Sequence, residues 1–157
     1  MTTQADLADK LTRDEISQFC NLIGMAPRIL AQSREAVTDK YDLGPRGAWI
    51  LGLAQRGVNS PSKLTEILRI QRSLITLELS RLADAGLVTT QRNPDDGRRL
   101  VVTLTAKGRQ VCEELECAIG EFVLGRFAGL EREDLLALMR ALRCFVGSPG
   151  FVEPRQA

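Results

Sequence analysis

Two adjacent arginines, Arg98 and Arg99, follow the turn-forming run Asn93-Pro94-Asp95-Asp96-Gly97 and carry the chemistry of the stretch NPDDGRRLVVTLTAKG, residues 93–108. Behind them Leu100, Val102 and Leu104 alternate with period two, which places the arginines at the tip of an expected β-hairpin. A guanidinium on a protruding tip is suited to the minor groove of duplex DNA, where negative potential is concentrated, most of all in narrow A·T tracts. Asp96 stands two residues before Arg98 and would repel phosphates. It is therefore expected to orient the arginine rather than to touch a polyanion. A solvated charge pair on an ordinary turn is the plainer alternative.

A second group of residues lies on a helix expected from about Gln71 to Ala85, stopping at Gly86. At 100° per residue, Ile75, Leu79 and Leu82 share an inward face. Ser73, Leu77, Ser80 and Asp84 lie opposite, Thr76 and Arg81 flank them, and Gln71 and Arg72 begin the helix. Small hydroxyls allow a helix backbone to approach a groove floor. Gln71 matches an adenine edge, Arg72 a guanine or a phosphate, and Leu77 a thymine methyl group. The expected DNA-binding set is thus Gln71, Arg72, Ser73, Thr76, Leu77, Ser80, Arg98 and Arg99, with Asp96 as the wing-orienting residue. An ordinary surface helix with exposed leucines is the competing reading.

Composition narrows the alternatives. None of the 157 residues is histidine, which removes Ser–His and Cys–His nucleophilic sites and imidazole-based zinc sites together. The four cysteines, Cys20, Cys112, Cys117 and Cys144, form no C-x-x-C pair. With no paired catalytic carboxylates and no glycine loop to cradle phosphates, no catalytic residue, metal or cofactor is expected. The net charge is only +1, but residues 62–109 hold nine cationic side chains against five carboxylates. That concentration of positive charge suits a polyanionic partner. The N-terminal run is polar, and no apolar run approaches the roughly 18 residues of a membrane span. A soluble, cytoplasmic chain without a membrane partner is expected.

The elements that must position these groups are legible in outline. Thr12 and Glu15 have capping-box spacing and open a helical pattern through Ile16, Phe19/Cys20, Ile23, Leu30 and Val37, which Pro27 should kink or split. Leu43-Gly44-Pro45 opens a second helix containing Trp49, Ile50 and Leu53 and ending at Gly57. Ser60-Pro61 opens a third, running to about Leu68. After the Gln71 helix, strands are expected over residues 87–92 and 99–104. Thr105 then caps a long helix to about Phe127, and residues 131–145 form a last one with the stripe Leu135, Leu138, Leu142 and Phe145. The fold class is mainly α with a small β-hairpin wing, a winged helix-turn-helix. Residues 1–42 are expected as an N-terminal dimerisation region, 43–104 as the winged unit, and 105–157 as C-terminal dimerisation helices and tail. The terminal helices are too apolar to stand in solvent, and burial between two subunits would answer that.

The run Pro94-x-Asp96-x-Arg98-x-x-x-Val102-x-Leu104-Thr105-x-x-Gly108 resembles the wing signature of the multiple-antibiotic-resistance regulator (MarR) family, and Arg81-Leu82-Ala83-Asp84-Ala85-Gly86-Leu87-Val88 resembles the end of that family's recognition helix. The resemblance extends over about residues 12–146. It departs at Glu78, where the family usually has an aliphatic residue, and near Leu74 and Leu77, where polar or basic residues are usual. It implies a homodimeric transcriptional regulator, most often a repressor, whose two winged lobes grip successive turns of a pseudo-palindromic double-stranded DNA operator. It also implies a small aromatic or phenolic effector bound between the dimer apex and the winged lobe. The corresponding residues here are Met25, Ile29, Trp49 and Ile50 as an apolar wall, with Arg28 or Arg46 as the anion's partner. An alternative from the same resemblance is a peroxide sensor using Cys20 in the first helix. A winged-helix module that binds an acidic protein is a third reading.

Overall fold

The computed structural model describes residues 11–92 and 100–147. Its helices are α1 (Arg13–Gln32), α2 (Glu35–Lys40), α3 (Pro45–Gln55), α4 (Pro61–Leu68) and α5 (Arg72–Asp84), followed by strands β1 (Val88–Arg92) and β2 (Leu100–Leu104), then α6 (Ala106–Arg126) and α7 (Arg132–Val146). Among the described residues this is the winged helix-turn-helix order, mostly helical with one two-stranded antiparallel hairpin. The register pairs Val88 with Leu104 and Arg92 with Leu100. On its other edge β2 takes one further bond, from Val102 N–H to the Asn59 carbonyl at 2.7 Å. This ties the wing to the loop before α4.

Local chemistry sets most boundaries. Thr12 and Glu15 close a reciprocal capping box at the start of α1. Pro45 and Pro61 take first-turn positions of α3 and α4, where their missing N–H groups cost nothing. Two expectations need correction. The first helix is not split at Pro27: α1 continues through it to Gln32. One proline removes a single donor, and the turns on either side keep theirs. Val37 does not extend that helix but belongs to the separate short helix α2, set off by Ser33, whose hydroxyl donates back to the Leu30 carbonyl at 2.7 Å.

The core lies under the winged unit. Ile50 and Leu51 of α3, Leu64 of α4, Ile75, Leu79 and Leu82 of α5, Leu87, Val88 and Val102 of the hairpin, and Val111, Cys112 and Leu115 of α6 form one buried cluster. By contrast, no residue of α1 or α7 is buried. Phe19, Leu22 and Met25 on α1, and Leu138, Met139, Phe145 and Val146 on α7, are exposed on the single subunit. The Phe19 and Phe145 rings meet edge to face at 5.1 Å, so α1 and α7 touch at this point. No helix among the described residues is long and apolar enough to cross a membrane.

Candidate nucleic-acid interface and effector cavity

The helix α5 is amphipathic by position. Ile75, Leu79 and Leu82 face the core, while Arg72, Ser73, Thr76, Leu77, Ser80, Arg81 and Asp84 are exposed. Gln71 is the exposed N-cap residue, and its side chain makes no capping bond. It is therefore free to project beyond the helix. The Thr76 hydroxyl donates to the Arg72 carbonyl at 3.0 Å, leaving its oxygen available as an acceptor on the open face. Leu77 is 48% exposed, an apolar group standing in the middle of a polar surface. Arg69 occupies the left-handed region (φ 51°) in the tight turn between α4 and α5 and is exposed beside Arg72.

Glu78 lies on none of these exposed faces. It is buried at 7% exposure, with Oε1 3.6 Å from Arg81 Nη1. A Cβ placed on Gly47 would sit 4.0 Å from Glu78 Oε2, so the carboxylate reaches the first turn of α3. A negative charge is favoured there by the unpaired amides of the helix start. Glu78, which departs from the family pattern, is an inward brace between α5 and α3, and it leaves the exposed face of α5 without its charge.

The wing is held by its base. Thr105 caps α6 by accepting from Gly108 N–H at 3.0 Å, and its hydroxyl donates to the Gly86 carbonyl at 2.7 Å. A Cβ at Gly108 would collide with the Leu87 carbonyl oxygen, so that position has room only for glycine. Lys107 donates to the Ala85 carbonyl at the end of α5 (2.9 Å), and Arg109 donates to the Leu104 carbonyl (3.0 Å). These two cations, which the sequence sets near the wing arginines, fasten the end of α5 and the end of β2 to α6. The wing residues Asp96, Arg98 and Arg99 lie outside the described residues. Arg92, at the end of β1, is exposed.

A cavity of about 320 Å³ opens between α3, α4 and α6, with Trp49, Leu53, Ile67, Leu68, Cys112 and Leu115 among its walls and Arg34, Arg56 and Glu116 as its charged rim. Arg34 follows the end of α1 and is half-buried, and burial holds its pKa below the usual guanidinium value. It has no ion-pair partner among the described residues. A smaller cavity of about 220 Å³ shares Trp49 and Leu68 with the first and is also lined by Arg46 and Ile70. Of the residues expected at an effector site, Trp49 thus lines both cavities and Arg46 the smaller one. Ile50 is fully buried in the core and lines neither cavity. Met25, Arg28 and Ile29 line neither cavity. No sequence pattern pairs Arg34 with Arg56, because they come to one cavity only when α2 and α3 both pack against α6.

Comparison with known proteins gives a consistent set of similarities. Residues 50–100 match the sequence model of the MarR family. The transcriptional repressor IacR of Pseudomonas putida is 31% identical over 112 residues, 71% of this chain and 67% of its own. The organic hydroperoxide resistance transcriptional regulator of Bacillus subtilis is 27% identical over 130 residues, 80% of this chain and 85% of its own. Among solved structures, a cysteine-to-serine mutant of MarR from E. coli complexed with operator DNA superposes with TM-score 0.70 at 22% identity, covering 87% of this chain and 99% of that one. CouR from Rhodococcus jostii RHA1 bound to p-coumaroyl-CoA gives 0.69 at 19% identity, with coverage of 84% and 93%. At such identities the structural likeness shows the shared fold.

Proposed function

The chain belongs to the MarR family of transcriptional regulators, and from that premise we propose that it acts as a homodimeric repressor released from its operator by a small aromatic or phenolic anion. The exposed face of α5 carries the DNA half of this reading. Gln71, Arg72, Ser73, Thr76, Leu77 and Ser80 project outward together, with small hydroxyls flanking one methyl-bearing side chain. That mixture suits base edges and thymine methyls in a major groove. Arg98 and Arg99, oriented by Asp96, would enter the adjoining minor groove. The effector half rests on Arg34, a half-buried cation without a carboxylate partner beside an indole wall. An aromatic carboxylate offers both a charge for the guanidinium and a face for Trp49. CouR, of the same fold, is bound to p-coumaroyl-CoA, which offers the aromatic face though not the free carboxylate.

Selection from a random duplex pool tests the DNA half. An inverted repeat should emerge, with affinity falling steeply as salt rises. Arg98→Ala should weaken binding by about 1–3 kcal/mol and leave the oligomeric state unchanged. Recovery of no preferred sequence, with a shallow salt slope, would instead favour a module that binds acidic proteins. For the effector half, p-coumarate and salicylate should release the selected duplex from the parent protein but not from Arg34→Ala. Equal release from both would remove Arg34 from the effector site.

The B. subtilis relative supports a second reading. Cys20 is exposed on α1 of the single subunit, where an oxidant can reach it. Loss of duplex binding after mild cumene hydroperoxide treatment, absent in Cys20→Ser, would establish it. An unchanged response in that variant would end it.

A further inference from the structure

Behind the wing, away from the exposed face of α5, a cavity of about 400 Å³ lies where the end of α3, the Asn59 loop, β2 and the first turns of α6 meet. Its walls carry two opposite charges on one helix face, Arg109 and Glu113, four residues apart on α6. They do not pair with each other, and Glu113 has no ion-pair or hydrogen-bond partner among the described residues. Arg109 uses one guanidinium nitrogen on the Leu104 carbonyl, which fixes its stem and leaves further N–H groups for an acceptor. Gln55 supplies a third polar group. Its Oε1 is buried and accepts no hydrogen bond, a state that folded proteins seldom tolerate. Gln55 lines the cavity, and a ligand N–H reaching this oxygen would supply the missing donor. The apolar residues Ala54, Val102 and Leu104 are also part of its lining.

We infer that this cavity binds a small α-amino acid, with Arg109 taking its carboxylate, Glu113 and Gln55 its ammonium, and the α3–β2 wall its apolar side chain. An anion alone would meet the Glu113 carboxylate, and an amine alone would meet Arg109. A zwitterion satisfies both at once. The site is separate from the cavity at Trp49 and does not depend on the DNA reading. An occupant would bridge β2 to α6 and so stiffen the base of the wing.

Thermal denaturation of the full chain tests this with L-alanine, L-valine and L-leucine offered singly, and acetate and ethylammonium as single-charge controls. At about ten times its Kd, at least one of the amino acids should raise the Tm by roughly 3 °C, and neither control should do so. Glu113→Gln should abolish the shift while moving the ligand-free Tm by about 1 °C or less, because Glu113 is exposed and unbonded. Trp49→Ala should leave the shift intact. The inference is overturned if none of the three amino acids shifts the Tm, if acetate alone reproduces the effect, if the shift survives Glu113→Gln, or if it vanishes in Trp49→Ala. No readout involves DNA, so failure here leaves the operator reading untouched.

Discussion

At the scale of single residues, burial separates groups that the sequence presents as equals. Four cysteines have the same chemistry on paper, yet Cys112 is buried among the core side chains while Cys20, Cys117 and Cys144 are exposed. Burial, reinforced by the carboxylates of Glu116 and Glu113, pushes the Cys112 thiol up to about 11. The thiolate is the reactive form, so native protein treated with iodoacetamide at pH 8 should be alkylated at Cys117 and spared at Cys112 until denaturant is added. Mass spectrometry of the digested protein reads both sites, and equal labelling would contradict the packing of α6. The same distinction divides Glu78 from the residues around it. Its neighbours Leu77 and Ser80 open to solvent, whereas its own carboxylate turns to the start of α3. Helical periodicity put Ile75, Leu79 and Leu82 inside, and the structure agrees. It gave no warning that a carboxylate would join them, since Glu78 is covered only when α3 packs against α5.

At the scale of elements, two joints determine how the winged unit is held. The first is the crossing of the α6 start over the strand entry, where Thr105, Lys107 and Arg109 donate to backbone carbonyls and Gly108 donates its N–H to the Thr105 hydroxyl. Gly108→Ala should cost about 2–3 kcal/mol, seen as a Tm lower by roughly 5–10 °C, because its Cβ meets a carbonyl that cannot move without displacing β1. A change of under 1 °C would show that α6 does not pass so close. The second joint is Glu114 of α6, which accepts from Lys40 Nζ at 2.8 Å and Tyr41 Oη at 2.9 Å and so clasps α2 to α6. The Lys40 hydrogen bond, then that of Tyr41, lowers the Glu114 pKa, and Glu114 in turn raises that of Lys40. A carboxylate depressed in the folded state adds stability above its unfolded value near 4.5, and that stability is lost as pH falls through the folded value. Lys40 contributes in the opposite sense, its share fading only as pH rises past its folded value above 10.5. Glu114→Gln should therefore lower the Tm at pH 7 and flatten the fall in Tm as pH drops below about 4.5. A wild-type fall of unchanged steepness in the variant would dissociate Glu114 from it.

At the scale of the whole molecule, the distribution of apolar surface is the main asymmetry. The winged unit encloses its own core, but α1 and α7 present Leu22, Met25, Met139, Phe145 and Val146 to solvent on the single subunit. Helices with this much unburied hydrocarbon are stable when a second copy covers them. Phe145 is 57% exposed while touching Phe19, so one part of its ring remains open to a partner. Phe145→Asp should shift the sedimentation of the proposed dimer towards single subunits at micromolar concentration and abolish tight binding to an inverted repeat, while leaving the far-UV circular dichroism of the winged unit in place. A dimer that persists in this variant would place the subunit interface elsewhere.

The order of elements, the caps of α1, α4 and α6, the inward face of α5 and the family of the chain were all readable from residue type and spacing. Each depends on interactions within a few residues or on a repeating period, and such information is carried along the chain itself. The continuity of α1 through Pro27, the separate helix α2, the inward carboxylate of Glu78, the commitment of Lys107 and Arg109 to backbone carbonyls, and the meeting of Arg34 with Trp49 came only from the tertiary structure. Several of these features, like the clasp of Glu114 on Lys40, join residues remote in sequence: Lys107 reaches Ala85 across 22 positions and Lys40 reaches Glu114 across 74. A charge's partner and a cavity's wall exist only once separate elements have packed, and no local pattern in the chain specifies them.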